Sequence, residues 1–222
     1  MIRKLMSWGA IIATALTLVC IPAQAFVNGG FETGNLDGWS SIGNVAVGHI
    51  FSGEPALEGS YLARLSTDTT QLVAGIESSL GLGEDMLKGW GATGGSAIWQ
   101  TITVGDGGSF EFDYRFRSPE FMPFNDFSFV AVLGEYSGVS ELSSVATVGG
   151  TGDSYWQHWS CSLPAGTYTV GIGVVNIIDT SGASTLLVDG ARSTTPAVPE
   201  PASIVLAILG ISAGGVLRRP RK

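Results

Sequence analysis

Between residues 109 and 117 the chain reads Ser-Phe-Glu-Phe-Asp-Tyr-Arg-Phe-Arg, a ring at every second position with charges between. Side chains alternate across a strand, so Phe110, Phe112, Tyr114 and Phe116 share one face while Glu111, Asp113, Arg115 and Arg117 take the other. A helix would scatter these rings around its circumference; a sheet with one buried face gathers them. Further short segments of this kind run through 45–50, 60–65, 96–104, 127–133, 143–148, 167–175 and 184–192. They are separated by turn signals such as Asp106-Gly107-Gly108 and Pro164-Ala165-Gly166. About eight strands at this spacing predict an all-β fold, a jelly-roll β-sandwich, with Trp39 and Trp99 in its core. One short helix is expected over 71–80, where Leu72, Ile76 and Leu80 repeat at four residues and Thr69 and Thr70 can cap it.

The two ends have a different character. Residues 1–25 carry Arg3 and Lys4, an apolar run to Ile21 and the cleavage pattern Ala23-Gln24-Ala25, which reads as a signal peptide with Phe26 the first mature residue. Val19 is too large to precede a lipidated cysteine, so Cys20 is not expected to carry lipid. At the far end, Pro199-Glu200-Pro201 precedes an uncharged apolar run over 202–217 and then Arg218-Arg219-Pro220-Arg221-Lys222. The run falls slightly short of the roughly 20 residues that span a bilayer. The basic cluster would stay cytoplasmic, placing everything before Pro199 outside. The prolines hold the motif extended, because they fix φ and lack an N–H.

This order of motif, hydrophobic helix and basic cluster resembles the PEP-CTERM sorting signal of Gram-negative bacteria. The resemblance implies that a membrane protease of the exosortase type recognises Pro199, Glu200, Pro201, Arg218 and Arg219. The chain would be exported, held by its C-terminal helix until processing, and delivered to the cell surface or extracellular matrix. A plain membrane anchor is the alternative. The plan is then a signal peptide at 1–25, an ectodomain at 26–192, a linker at 193–198 and a sorting segment at 199–222.

Within the ectodomain five basic side chains stand against eighteen acidic ones, a net charge near −13. Such a field repels nucleic acid and anionic lipid and attracts divalent cations; solubility alone would also account for it. Cys161 is the one cysteine of the mature chain, so no internal disulfide framework exists and stability must come from burial. About 170 residues suffice for that.

The stretch Phe26-Val27-Asn28-Gly29-Gly30-Phe31-Glu32, continuing to Trp39, resembles the first strand and turn of carbohydrate-binding-module and galactose-binding-like jelly rolls. The segments 95–101, 124–127 and 186–189 are similar to those of ectodomains that carry PEP-CTERM tails. The resemblance implies a fold and an export route, without a settled activity. It also implies that a first-strand carboxylate, Glu32, approaches a last-strand one, Asp189, and with backbone carbonyls holds a structural calcium ion, which takes six to eight hard oxygens. Otherwise Glu32 sits in a turn and Asp189 faces solvent.

Two further groups carry candidate chemistry. Glu120, Asn125 and Asp126 share one Pro-restrained loop and could hold calcium or make Asx turns. In Tyr155-Trp156-Gln157-His158-Trp159, Trp156 and Trp159 could stack on sugar faces while Gln157 and Gln100 bond hydroxyls, or the rings could pack between sheets. Only His49 and His158 are available as imidazoles, and no nucleophile or zinc motif is present. The expectation is an exported, non-enzymatic protein that binds or organises polysaccharide. The rivals are a structural or adhesive matrix protein and a carboxylate-based glycosidase.

Overall fold

The structure is a computed structural model and describes residues 26–105, 107–135 and 137–194. The expected signal peptide, sorting motif and C-terminal apolar run lie outside the described residues. Among the described residues, no helix is long and apolar enough to cross a membrane.

The strands are β1 (Ser40–Ile42), β2 (Asn44–Gly48), the small hairpin β3 (Ile50–Phe51) and β4 (Glu54–Pro55), β5 (Leu62–Ser66), β6 (Ala92–Val104), β7 (Gly108–Arg117), β8 (Phe127–Leu133), β9 (Gly138–Ser144), β10 (Gln157–Leu163), β11 (Gly166–Ile177) and β12 (Thr185–Thr194). They form two antiparallel sheets, β1-β6-β11-β8-β9 and β10-β7-β12-β5-β2. Strands β5 to β12 pass between the sheets so that β5-β12-β7-β10 faces β6-β11-β8-β9. That is jelly-roll order, as the sequence predicts.

The ring-and-charge alternation of β7 divides as expected. Phe110, Phe112, Tyr114 and Phe116 are buried against Ile98, Ile102, Val130, Val170 and Ile172 of the facing sheet. The N-terminal segment closes this core at one end: Phe26 stacks on Phe110 at 5.1 Å and Trp39 is buried. Gln100 ties the segment down, accepting from Val27 N at 2.7 Å and donating to Val27 O at 2.9 Å.

A second apolar cluster lies on the outer face of the first sheet. Helix α1 (Val73–Leu80) presses Val73, Ile76 and Leu80 onto Ala97, Phe127, Phe129 and Ala131. The helix starts later than the sequence suggests, and its buried stripe is Val73, Ile76 and Leu80. Leu72 lies outside that stripe and is exposed. The threonines do not cap it; Thr69 Oγ1 instead accepts from Gln71 N at 3.2 Å, and the N-cap residue is Leu72. Trp99 belongs to this outer cluster and is half-buried rather than part of the inner core.

The expected strand at 143–148 divides. β9 ends at Ser144, and the next residues form the short α2 (Val145–Val148), because Ser144 N donates to Thr147 Oγ1 at 2.8 Å across the first turn. β10 follows at 157–163, with Trp159, Cys161 and Leu163 turned toward the core.

The two long edges of the sandwich differ. At one edge, β1 and β2 are consecutive, and the chain crosses from one sheet to the other at Gly43, whose φ is 86°. Ser96 Oγ accepts from Asn44 N at 2.7 Å and donates to Ser66 O at 2.6 Å, joining the sheets there. At the other edge β9 and β10 end their own sheets. The Tyr114 hydroxyl, donating to Leu142 O at 3.0 Å, reaches across to β9.

Candidate functional site

Where β9 and β10 part, a groove of about 500 Å3 opens. Val130, Val132, Trp159, Cys161, Leu163 and Pro164 supply apolar walls, and Glu135, Ser137, Ser140 and Ser162 bring exposed polar groups. Trp159 is half-buried, its ring 5.5 Å from that of Phe110 and 5.4 Å from that of Phe112, so core packing fixes its angle. Two residues earlier on the same strand face, Gln157 lines a polar hollow of about 390 Å3 with Tyr114, Ser143, Thr147, Asp153 and Ser154. Its Nε2 donates to Ser154 O at 2.8 Å. Trp156 is half-buried ahead of β10 and lines neither hollow. The fold thus brings Trp159 and Gln157 to one edge and leaves Trp156 apart.

Sequence reasoning missed the contributions of Glu135, Ser137 and Ser140. They enter through the pairing of β9 with β8, which no motif announces.

His158 faces the other side of its sheet. Its Nδ1 lies 2.9 Å from Asp113 Oδ1, and Arg192 Nε donates to the neighbouring Glu111 Oε1 at 2.6 Å.

Beside this charged face, Glu32 and Asp189 hold one loop, residues 57–61. Asp189 Oδ2 accepts from Leu57 N at 2.8 Å and from Glu58 N at 2.9 Å, and its Oδ1 accepts from Gly190 N at 2.7 Å. Glu32 Oε1 accepts from Ser60 N at 2.9 Å and Tyr61 N at 3.0 Å. Glu32 is exposed, and the Ser60 and then the Tyr61 amide hold its carboxyl below the usual range. Asp189 is fully buried, and burial pushes its carboxyl up despite the amides that counter it. Asp189 lies where the pairing of β12 with β5 has ended, at Val188, and where its pairing with β7 shifts register, and it is buried rather than turned to solvent. A side chain at Gly30 would lie 3.8 Å from Asp189 Oδ1 and from the Glu32 Cγ methylene, so the glycine is in ordinary contact range of both residues.

Glu120, Asn125 and Asp126 hold different partners. Asn125 Oδ1 accepts from Ala146 N at 2.7 Å and so caps the start of α2. Asp126 is buried, accepting from Ser184 Oγ at 2.7 Å and Ile177 N at 2.8 Å. Burial, reinforced by Glu120 and Asp179, pushes its carboxyl up to about 6. Glu120 packs against Gly182. Among the described residues, no three His, Cys, Asp or Glu side chains are grouped to hold a metal ion.

An ion-pair network anchors the start of β10 to β7. Arg115 donates to both oxygens of Asp153, at 2.9 and 2.7 Å, while Arg117 reaches Asp153 at 2.8 Å and Glu54 at 2.9 Å. Burial opposes ionisation of Asp153, yet the two guanidiniums and the Tyr155 amide pull it down to about 2.

Known proteins resemble the chain in its tail and in its fold. Residues 197–222 match the family model of the PEP-CTERM protein-sorting motif. The chain therefore carries the sorting signal of an exported protein directed to the cell envelope. No curated protein matches it. Solved structures similar to it include TmCBM61 in complex with beta-1,4-galactotriose, at 14% identity and a TM-score of 0.48, covering 77% of this chain and 98% of that one. A family 16 carbohydrate-binding module is similar at 14% identity and a TM-score of 0.40, over 76% of this chain and 98% of that one. The K1 cleaved adhesin domain of Lys-gingipain from Porphyromonas gingivalis is similar at 13% identity and 0.42, over 75% and 95%.

Proposed function

We propose that this exported jelly roll acts by binding polysaccharide of the cell envelope or extracellular matrix, without catalysis, in the groove between β9 and β10. The observation that carries this reading is Trp159. Its ring packs against Phe110 and Phe112 and borders an open groove whose other side offers the hydroxyl of Ser140, that of Ser137 being turned back to Gly134. Apolar surface beside a few polar groups is the combination that sugar rings meet, with C–H faces on an indole and hydroxyls on serine. The sorting signal supplies the setting, with an exosortase-type protease as the partner that recognises residues 197–222. The test is a glycan-array screen with the full-length protein in detergent. Ser140→Arg, which places a long side chain at an exposed groove position, should abolish the signals without altering the unfolding midpoint. A screen without hits, or hits indifferent to Ser140→Arg, would remove the reading.

A calcium ion bracing the 57–61 loop belongs to the same proposal. Glu32 and Asp189 would be its anionic ligands and loop carbonyls would complete the shell. That both carboxylates turn toward this one loop supports this. Binding confined to the folded state raises the unfolding midpoint. Millimolar calcium should therefore raise it in the wild type and not in Asp189→Asn, and equal curves in calcium and in chelator would dispose of the ion.

A further inference from the structure

The polysaccharide reading of the β9–β10 groove leaves the charge of the ligand open, and any selectivity for charge rests on that reading. The described domain holds five basic side chains; four pair with carboxylates within it, and the fifth, Arg64, is held by an aromatic ring and an amide, its Nε buried without a partner. Lys88 Nζ lies 3.0 Å from Asp85 Oδ1. Arg115 and Arg117 share Asp153 and Glu54. Arg192 is held by Glu111 at 2.6 Å. Arg64 lies over the Phe51 ring, 5.4 Å from its centroid, and donates to Asn44 Oδ1 at 3.2 Å. Among the described residues, no basic side chain lines the groove or the adjoining hollow; the charged residues there are Glu135 and Asp153.

An anionic sugar entering this edge would meet a carboxylate with no cation to answer it. Recruiting Arg117, which donates to Asp153, would mean breaking its bonds to Asp153 and Glu54. Like charges in an interface oppose binding and suppress wrong partners. The field of the whole ectodomain, near −13, acts in the same direction.

We infer that the groove selects uncharged polysaccharide, and that Glu135 at its mouth is a specificity-determining residue that turns away uronate-bearing, sulfated and phosphorylated polymers. Uncharged sugars need only the indole face and the serine hydroxyls, which the net charge leaves undisturbed. Glu135 is exposed, so its substitution changes the field at the groove without disturbing the buried core.

The experiment uses the full-length protein in detergent and matched polysaccharide pairs: a glucan, a mannan, a galactan and a xylan, each with a uronate-bearing counterpart. At low salt the acidic member of a bound pair should be about tenfold weaker than the neutral one. The difference should narrow at high salt, where screening shortens the range of the field. Glu135→Gln should recover part of the loss and Glu135→Lys more, read as the ratio of acidic to neutral binding within each variant. Acidic polymers bound as tightly as neutral ones would overturn the selectivity and leave the polysaccharide reading standing. No binding to either member of any pair would overturn both. A dimer seen in sedimentation that Ser140→Arg dissociates would assign the groove to a second copy, and would also overturn both.

Discussion

The two long edges of this sandwich solve the same problem in different ways. Both must end a sheet without leaving the apolar core open to water. At the β1/β2 edge one continuous stretch belongs to both sheets, and the Ser96 hydroxyl bonds Asn44 and Ser66 across the seam. At the β9/β10 edge no strand is shared, the Tyr114 to Leu142 bond reaches across the gap, and a groove bordered by Trp159 remains. A jelly roll tolerates one such opening, because the order β5-β12-β7-β10 over β6-β11-β8-β9 holds the sheets together through the chain itself. The open edge is where chemistry can be placed without dismantling the core.

Breaking the sealed edge should have the largest effect. Gly43 has a φ of 86°, and a side chain there would collide with Ser96 Oγ and Gly95 O. Gly43→Val combines backbone strain with a clash and should cost about 4 kcal/mol. Urea unfolding measures it; a cost below about 1 kcal/mol would mean that the seam does not hold the sheets. Next comes the anchor of the open edge. Asp153→Asn leaves the nearly buried Arg115 with Glu54 as its one carboxylate partner and should cost about 3 kcal/mol. Because the two sites share no partner, the double variant should be additive within about 0.5 kcal/mol. A larger coupling would show that the edges communicate, and the contrast between them would have to be redrawn.

The framework is largely legible in the sequence, and the edges are not: β1, the crossing at Gly43 and β10 fall outside the segments that alternation marks. Period-two rings in β7 announce a strand because alternation is a local property, and the bounds of Phe127–Leu133 can be read for the same reason. The tail is legible as a linear motif, and the family match to residues 197–222 agrees. Three kinds of information lie out of reach. The start of α1 depends on which apolar residues the first sheet covers, so Leu72 looks periodic although Val73 is the one buried. The end of β9 depends on Ser144 and Thr147 bonding as a helix start, which competes with a locally plausible strand. The groove depends on β9 pairing with β8 while β10 pairs with β7, and those contacts join residues far apart in sequence. Gln157 and Trp159 stand out in the sequence for their chemistry, whereas nothing local marks the β9 residues that join them.

An effect that shrinks to nothing at pH 4, and in that sense the smallest, is expected at the end of the sandwich, where Asp126 links the start of β8 to the β11–β12 connection through Ile177 and Ser184. Burial raises its carboxyl from 3.8 to about 6 in the folded state. A folded state that holds its proton more tightly than the unfolded chain is favoured at low pH. Its advantage from this group is complete below about 4, falls as pH rises from 4 toward 6, and is gone above that range. Asp126→Asn removes the titration while keeping the contacts: the amide oxygen can accept from Ile177 N and the amide nitrogen can donate to Ser184 Oγ. The variant should therefore match the wild type at pH 4 and gain on it up to pH 6, with a constant difference beyond. Urea midpoints for both proteins between pH 4 and 8 measure this directly. Parallel profiles would mean that Asp126 ionises normally, and the buried contact with Ser184 would then be one between a hydroxyl and a full negative charge.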